Sequence, residues 1–304
     1  MRVAVTGATG FIGSRLVEKL EASGIGWMVL SRNVAKARER LPGAVDIAHW
    51  DPPRQPPDRG KLEGLDAVVH LAGQPVAQRW TQAAKAAIAD SRVLSTRMLA
   101  EALSALEQPP ATLVSGSAIG VYGPRDDSAL DEEASPGSDF LADLCQRWEA
   151  EARPAARRGI RVVHPRVGIV LGRGGGALSM MLTPFRLGVG GPIGNGRQWM
   201  SWVHIDDVVG LILHAIRTST IEGPLNVTSP RPVRNREFSK ELGRALHRPA
   251  FLPTPVLGLK LLYGEFADIL ATGQRVIPAK ALDSGYRFQH PELGAALEDV
   301  LRSE

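Results

Sequence analysis

Three glycines at intervals of three residues stand near the start of the chain, in the stretch VTGATGFIG (residues 5–13). They follow the β-branched run RVAVT and precede a helical pattern. Glycines in this setting allow a tight turn, a close approach of backbone to a pyrophosphate, and close packing of helix on strand. The free N–H groups of the helix would then face the phosphates. The residues predicted to contact a bound dinucleotide are Gly7, Thr9, Gly10, Phe11 and Ile12.

The residues after the second apolar run indicate which dinucleotide is bound. An acidic residue at this point would bind the ribose 2′-hydroxyl and favour NAD. The chain has Ser31 and Arg32 instead, and the next acidic residue is Glu39. A guanidinium can bind a 2′-phosphate through a planar, charge-assisted fork. Ser31 and Arg32 therefore predict NADP(H), although an arginine at the start of a helix can also be merely solvated.

Alternating strand and helix patterns position these residues through the first half of the chain. Strands are predicted at 2–6, 27–30, 44–50, 66–73, 111–117 and 160–172. Helices are predicted at 11–23, 34–41, 80–107 and 138–158. This alternation predicts an α/β fold, a Rossmann-type doubly wound parallel sheet covered on both faces. Residues 1–173 would form the NADP-binding domain, completed by about 201–228, and residues 174–200 and 229–304 would form a smaller C-terminal substrate lobe.

Composition excludes several other classes of protein. The chain has 304 residues, 36 basic against 32 acidic, and no run of like charges that would indicate a nucleic-acid or membrane-surface partner. Its single cysteine, Cys145, excludes a disulfide framework, and no metal-ligand spacing is present, so no metal is expected. No apolar run reaches about 18 residues. The first residues enter a strand directly, which leaves no room for a signal peptide and predicts a cytoplasmic protein.

Five segments spread over nearly the whole chain resemble one enzyme family. They are VTGATGFIG, VVHLAG, SGSAIGVYG, HPRVGIVLG and WVHIDDVV. On these segments the chain resembles the extended short-chain dehydrogenase/reductases of the NAD-dependent epimerase/dehydratase group. The pieces RW (79–80), DSR (90–92), GNGRQWMSWVHIDD and GQRVIPAKALDSGYRF are most similar to a subgroup of "epimerase family" proteins. That subgroup ends in a small C-terminal domain of unassigned function.

The resemblance implies further cofactor contacts at the carboxyl ends of the strands. In the family, the loop after the fourth strand passes the adenosine ribose and diphosphate, and the ends of the fifth and sixth strands border the nicotinamide. The corresponding residues here are Leu71, Ala72, Gly73, Ser115, Gly116, Pro165 and Val167. Trp50 would lie near the adenine, or else be an ordinary core tryptophan. Arg92 would contact a phosphate, or else be a solvated arginine.

The stretch SDFLADLCQRW (138–148) departs from the family's pattern. Most members carry a tyrosine and, four residues later, a lysine on this helix. The tyrosine transfers the proton, and because its free pKa is about 10 it needs a neighbouring cation to act near neutral pH. Phe140 and Leu144 stand at these positions. The chain has no other tyrosine–lysine pair at this spacing: Tyr122, Tyr263 and Tyr286 are followed by Asp126, Ala267 and His290.

Two side chains could replace the missing proton donor. Ser117 matches the family's active-site serine, and Tyr122 is five residues further along; each could instead be structural, as a strand-end cap or a packed tyrosine. In the second half, Gln198 and Trp202 are expected to border the cavity over the nicotinamide, unless the tryptophan packs the lobe. His204 could contact substrate, although a histidine before two first-turn aspartates is also typical of a helix start.

The sequence thus favours an NADP(H)-dependent oxidoreductase of atypical short-chain type. Its partner would be a small carbonyl or alcohol substrate, with no nucleic acid and no membrane. An alternative is a regulatory or scaffold protein that binds NADPH without turnover. A sugar-nucleotide epimerase is disfavoured because its chemistry needs the missing proton relay. The oligomeric state stays open.

Overall fold

A computed structural model describes residues 1–302, which form fourteen strands and twelve α-helices. The strands are β1 (Arg2–Thr6), β2 (Gly26–Ser31), β3 (Asp46–His49), β4 (Ala67–His70), β5 (Thr112–Ser115), β6 (Ser117–Ala118), β7 (Ala129–Leu130), β8 (Arg161–Val167), β9 (Ile169–Leu171), β10 (Trp199–Met200), β11 (Trp202–His204), β12 (Gly223–Val227), β13 (Val233–Arg234) and β14 (Arg275–Val276).

The helices of this described part follow the expected alternation in its first half. They are α1 (Phe11–Ala22), α2 (Val34–Arg40), α3 (Gln82–Ser104), α4 (Phe140–Ala150), α5 (Arg153–Arg157), α6 (Gly176–Arg186), α7 (Ile205–Arg217), α8 (Asn235–Ala245), α9 (Val256–Tyr263), α10 (Phe266–Ala271), α11 (Ala279–Asp283) and α12 (Leu293–Leu301). Two 3-10 turns lie at Arg59–Lys61 and Ile119–Tyr122. Within residues 1–302 there is no helix with the length and apolar content that crossing a bilayer requires.

Seven strands form one parallel sheet in the order β12-β8-β5-β4-β1-β2-β3, and β6 adds to β8 at one end. This arrangement confirms the predicted doubly wound α/β fold. The chain leaves β1 toward β2 and β3, and later returns to its other side through β4. Ligands bind in open α/β sheets at the carboxyl ends of the strands, at such a change of direction. The geometry therefore places the expected site between the ends of β1 and β4.

Both faces of the sheet are buried, as expected for strands that read as continuous apolar runs. Val3 and Val5 belong to a cluster with α1 and α7, whereas Ala4, between them, belongs to a second cluster with α3. Successive side chains of a strand point to opposite faces. The two helical layers fix the sheet, and hence the loops at its carboxyl edge, from both sides.

Two expected elements are interrupted, the helix by two residues and the strand by one. The helix predicted at 138–158 ends at Ala150 and restarts at Arg153, with Pro154 in the first turn of α5. Proline has no N–H to continue a helix and restricts the residue before it. The strand predicted at 160–172 divides at Gly168, where a Cβ would lie 2.3 Å from the carbonyl oxygen of Ser201. After that point β9 leaves the main sheet and pairs with β11.

The predicted substrate lobe has a core of its own, built largely from α6, α8 and α12. Leu178, Phe185, Phe238 and Leu297 are buried in that cluster. The tail at 279–288 does not join it. Ala281 is buried with the sheet-facing cluster of α1 and α7, and Tyr286 and Phe288 pack against the same cluster. This tail therefore contacts the nucleotide-binding half of the chain.

Candidate functional site

The glycine loop has the geometry that close approach to a phosphate requires. Gly7 has a φ of +70°, and a Cβ there would lie 2.9 Å from the backbone of the Leu71–Ala72 loop. A Cβ at Gly13 would lie 2.1 Å from the carbonyl oxygen of Gly7. Among residues 1–302 no side chain caps α1, so within this part of the chain the N–H groups of its first turn have no capping partner. A tight loop at an uncapped helix start leaves backbone N–H groups available to an anion such as a diphosphate.

A buried hydrogen-bonded chain joins this loop to the end of β4. The Thr6 hydroxyl accepts from the N–H groups of Leu71 and Ala72, at 3.1 and 3.2 Å, and lies 2.7 Å from His70 Nδ1. His70 Nε2 is in turn 3.1 Å from the Ser95 hydroxyl. Burial, helped by the charge of Arg92, lowers the pKa of His70 to about 4. His70 is therefore neutral near pH 7 and positions the Leu71–Gly73 loop.

Phe11 and Thr9 lie at the outer side of the glycine loop. Thr9 is exposed, whereas Phe11 and Ile12 are half-buried. The Phe11 ring packs on the glycine-rich turn after β9, because Cβ atoms at Gly175 and Gly176 would lie 2.6 and 2.8 Å from it. The glycines of that turn are explained by this close contact.

An arginine, Arg32, directly follows β2. Arg32 is exposed, and within residues 1–302 its guanidinium has no hydrogen-bond or ion-pair partner. The Ser31 hydroxyl, beside it, accepts from the N–H of Asn33 and lies 3.2 Å from the Asn33 carbonyl. Asn33 accepts from the N–H of Lys36 and caps α2. The cap fixes the direction of Ser31 and Arg32 at the carboxyl edge of the sheet.

Trp50 is a core residue in this structure. Its side chain is 2% exposed, its ring centroid lies 5.8 Å from that of His70, and its Nε1 donates to the carbonyl of Gln55 at 2.9 Å. The expectation that Trp50 borders the adenine is corrected by this burial, because the ring has almost no surface to offer a base.

Arg92 connects the two loops that are expected to face the middle of the cofactor. Its guanidinium carbon lies 3.0 Å from a Cβ built at Gly73 and 5.2 Å from the centroid of the Trp148 ring. The Trp148 ring also packs on Gly116, where a Cβ would lie 3.1 Å from it. The solvated alternative for Arg92 is not observed: the structure places this cation half-buried at the carboxyl edge of the sheet.

The ends of β5 and β8 converge beside this arginine. Ser115 and Pro165 are buried, Gly116 donates its N–H to the His70 carbonyl at 2.9 Å, and Val167 is half-buried. Within residues 1–302 the buried Ser115 hydroxyl has no hydrogen-bond partner. The strand ends therefore meet where the nicotinamide was expected, and the glycine at 116 gives room for Trp148.

Ser117 is held by a carboxylate and an arginine that the sequence did not single out. The Ser117 hydroxyl donates to Glu149 Oε1 at 2.6 Å. Arg166 grips the same carboxylate through Nε and Nη2, at 2.9 and 3.0 Å. Burial alone would raise the pKa of Glu149, but the hydrogen bonds and charge of Arg166 lower it overall. Glu149 is therefore ionised near neutral pH, and it accepts the hydrogen bond that the Ser117 hydroxyl donates.

Tyr122 continues the same network in the protein interior. Its side chain is 0% exposed; its hydroxyl donates to Asn226 Oδ1 at 2.7 Å and accepts from Arg166 Nη1 at 3.0 Å. Burial raises the pKa of Tyr122. The expectation that Tyr122 could act on substrate is wrong for this conformation, because both lone pair and proton of the hydroxyl are used and no surface is open to a ligand.

Apolar packing fills the positions of the missing tyrosine and lysine. Leu144 is 2% exposed and packs with Ile88 and Val93 of α3. Phe140 is half-buried, edge-to-face against Trp80 with ring centroids 5.1 Å apart. The ammonium of Lys85 lies 5.2 Å from the Phe140 centroid and is paired with Glu265. The helix start therefore contributes an aromatic surface and no proton relay.

The three residues expected to contact substrate have mainly structural partners. Trp202 is fully buried in the lobe core, and its indole donates to the Arg231 carbonyl at 3.0 Å, so it cannot border a cavity. Gln198 is half-buried and its amide donates to two carbonyls, of Ile193 and Leu270, both at 3.2 Å. His204 is 2% exposed and caps α7, with Nδ1 accepting from the N–H of Asp206. Burial, followed by the nearby His290, lowers the pKa of His204.

Two family models match the chain. The model of the NAD dependent epimerase/dehydratase family matches residues 3–227, which include the glycine loop and all of the parallel sheet except Arg2 at the start of β1. A domain of unknown function (DUF1731) matches residues 254–300, from α9 to α12. The first match spans the predicted nucleotide-binding residues and also residues 174–200 of the predicted lobe, and the second match lies within the C-terminal part of that lobe.

Relatives of similar length come from distant organisms. Epimerase family protein SDR39U1 of Homo sapiens is 40% identical over 307 residues, covering 99% of this chain and 100% of that protein. Epimerase family protein YfhF of Bacillus subtilis is 37% identical over 302 residues, covering 99% and 98%. The crystal structure of human SDR39U1 (isoform 2) with NADPH superposes with a TM-score of 0.89 at 37% identity, covering both chains completely. A UDP-glucose 4-epimerase of Thermus thermophilus with NAD, at 22% identity and a TM-score of 0.78, shares the fold.

Proposed function

Because the chain belongs to the NAD dependent epimerase/dehydratase family, we propose that it binds NADP(H) at the carboxyl edge of its sheet and uses it in hydride transfer. The substrate would be a small carbonyl or alcohol compound bound between the sheet edge and the lobe at 174–200 and 229–304. The observation that carries the proposal is the cradle at Gly7 and Gly13, where any Cβ would strike backbone. NADP(H) would supply the hydride donor or acceptor; the protein supplies the binding site.

The adenosine end accounts for the choice of NADP(H) over NAD(H). Arg32 is exposed and without a partner in the described part of the chain, so a 2′-phosphate would meet a free guanidinium at the end of β2. No acidic side chain stands there to bind an unmodified ribose. The human relative crystallised with NADPH is consistent with this choice.

Arg92 is proposed to replace the missing lysine as the cation that faces the middle of the cofactor. It lies against Gly73, on the loop expected to pass the ribose and diphosphate, and its position is fixed by Trp148. Leu144, at the lysine position, is buried among apolar side chains of α3 and can make no such contact. Positive charge near the cofactor would thus come from α3, not from α4.

The proton for hydride transfer is proposed to come from water. The Ser117 hydroxyl donates its hydrogen bond to the ionised Glu149, and Tyr122 is enclosed with both hydrogen bonds made. Loss of a positioned general acid typically costs about 10²–10⁴ in rate. Turnover is therefore expected to be slow compared with family members that carry the tyrosine–lysine pair.

A second candidate, tight NADPH binding without turnover, is favoured by the packing at Phe140 and Leu144. These side chains belong to one apolar cluster with Trp80 and Phe266, which joins α3 and α4 to α10 of the C-terminal tail. Because apolar side chains fill the positions of the proton relay, this cluster supports a protein that binds NADPH without turning it over, as a sensor or scaffold would.

One experiment separates the two candidates. Purified protein is loaded with one equivalent of NADPH, and nicotinamide fluorescence is followed after addition of panels of aldehydes, ketones and quinones, with protein-free NADPH as control. Slow, protein-dependent loss of fluorescence with one compound class supports the oxidoreductase. Stable binding without consumption over hours supports the holding role. Absence of any NADPH binding would reject both.

A further inference from the structure

Two histidines and an aspartate from distant parts of the chain meet outside the cofactor cleft. They are His204 at the end of β11, His290 in the segment between α11 and α12, and Asp299 on α12. One ligand atom of each lies within 4.8 Å of the others. The rings of His204 and His290 are stacked, with centroids 3.7 Å apart and 30° between their planes. Residues separated by up to 95 positions in the sequence thus point at one small volume.

The nitrogen of His204 that faces this volume has no hydrogen bond. His204 is 2% exposed, and its Nε2 is a buried polar atom without a hydrogen-bond partner within residues 1–302. Asp299 Oδ2 lies 3.3 Å from it, yet the contact does not satisfy hydrogen-bond geometry. An unsatisfied buried nitrogen costs free energy unless a ligand completes it. The orphaned atom therefore indicates a missing partner between His204 and Asp299.

We propose that His204, His290 and Asp299 bind a Zn²⁺ ion. Zinc takes imidazole nitrogen and carboxylate oxygen ligands at about 2.0–2.2 Å in a tetrahedron, so neighbouring ligand atoms are separated by roughly 3.3–3.5 Å. The 3.3 Å between His204 Nε2 and Asp299 Oδ2 matches such an edge. Two imidazoles and one carboxylate leave the fourth position to water, which can enter because Asp299 is 54% exposed.

A neighbouring carboxylate fixes one of these residues. The buried Asp207 accepts from the N–H groups of Gln289 and His290, at 2.8 and 2.9 Å, and so fixes the backbone that carries His290. At His204, Nδ1 accepts from the Asp206 N–H at 3.2 Å, which places the ring proton on Nε2. Zinc on Nε2 would therefore move this proton to Nδ1 and break the cap of α7, a cost that the bonds to the metal must exceed.

The ion would join α12 and the segment before it to the start of α7. His204 begins α7 of the nucleotide-binding part, whereas Asp299 is on α12 of the C-terminal tail. Arg15 of α1 is paired with Asp206 at 2.6 Å, so the same region also touches the helix after the glycine loop. The role of zinc here is to fix the C-terminal tail to the start of α7.

The test is zinc binding by the intact, tag-free protein stripped of metal. Isothermal titration with Zn²⁺, repeated with Co²⁺ and monitored by visible absorption, measures stoichiometry, affinity and tetrahedral geometry. His290→Ala and Asp299→Asn carry the test, because neither side chain is fully buried and both variants should fold. Glu298→Gln on the same helix and His49→Ala on β3 are matched controls with exposed side chains.

We expect one equivalent of Zn²⁺ to bind to the wild type and to both controls. His290→Ala and Asp299→Asn should each weaken binding by at least about tenfold and remove the rise in thermal midpoint that zinc gives the wild type. No saturable binding in the wild type would overturn the proposal. So would equal binding by the two variants, or a loss shared by the controls; in either case the stacked histidines are a metal-free pair.

Discussion

The change Arg32→Ala tests the adenosine end of the proposed cofactor site. Arg32 is exposed and unpaired among the described residues, so its removal breaks no contact of the folded protein. A hydrogen bond to a charged group contributes about 1.5–3 kcal/mol, or roughly 10- to 150-fold in affinity. Solvent screening at an exposed position favours the lower end of this range. We therefore expect NADPH to bind about tenfold more weakly to the variant.

The specificity of the loss matters more than its size. NADH lacks the 2′-phosphate, so its affinity for the protein should change by less than about twofold, which corresponds to about 0.4 kcal/mol. Fluorescence titration with both nucleotides at two salt concentrations measures four affinities for each protein. Added salt should reduce the preference of the wild type for NADPH over NADH and leave the preference of the variant little changed. Arg40→Ala, at the other end of α2, is the matched control and should retain the preference.

Two results would refute this reasoning. The first is equal affinity of the wild type for NADPH and NADH, which would mean that Arg32 makes no 2′-phosphate contact. The second is an equal loss for both nucleotides in Arg32→Ala, which would mean that the arginine shapes the loop and does not read the phosphate.

Four further changes test the interior of the site. Tyr122→Phe leaves Asn226 Oδ1 without its donor, whereas Arg166 Nη1 keeps the Glu132 carbonyl. We expect the free energy of unfolding, measured by denaturant titration, to fall by about 1–3 kcal/mol, with NADPH affinity and any turnover unchanged. A large loss of turnover alone would instead identify Tyr122 as a proton donor. Glu149→Gln removes the anionic partner of the buried Arg166, which keeps only its neutral acceptors, and should lower the free energy of unfolding by roughly 3 kcal/mol at pH 7. Because the folded pKa of Glu149 is lowered, the wild type has this stability above about pH 4.3 and loses it as the pH falls further. The two proteins should therefore converge in acid, and a pH-independent difference in stability would contradict the assignment. Leu144→Lys puts an ammonium at a 2% exposed apolar position and should lower the free energy of unfolding by about 3–5 kcal/mol. Phe140→Tyr, at a half-buried position, should lower it little. A stable Leu144→Lys protein with faster hydride transfer would show instead that the proton relay can be restored at these positions.

The elements that carry the glycine loop follow from local patterns and could be predicted. The β-branched run before Gly7 and the apolar spacing after it give β1 and α1 within a residue, and Asn33 caps α2 as its type favours. The interruption between α4 and α5 could also have been predicted from Pro154, because proline cannot continue a helix. Each of these features depends on residues close together in the sequence.

The network around Ser117 could not be predicted, because its members are far apart in the chain. Glu149 lies 32 positions after Ser117, and Asn226 lies 104 positions after Tyr122. Nothing local distinguishes Glu149 from other helix glutamates. One signal was present: Arg166 interrupts a strand that is otherwise buried, and a buried arginine requires a carboxylate partner. That rule could have prompted a search for Glu149.

The positions of two tryptophans could not be predicted from the sequence either. The family resemblance implies that Trp50 lies near the adenine, and Trp202 is expected beside the nicotinamide cavity because aromatic side chains are common in pockets. Both are nearly or fully buried, with their indole N–H groups given to backbone carbonyls. Residue type alone does not separate a pocket wall from a core, since both favour large apolar rings.

A crystal structure of the protein with NADPH tests the central claim most directly. The account predicts the diphosphate on the first turn of α1 above Gly7, the 2′-phosphate within hydrogen-bond distance of the Arg32 guanidinium, and the nicotinamide beside Ser117 with no tyrosine or lysine side chain in contact with its ribose. NADPH bound elsewhere, or a 2′-phosphate directed away from Arg32, would contradict the account. So would a rearranged α4 that brings a tyrosine–lysine pair to the nicotinamide.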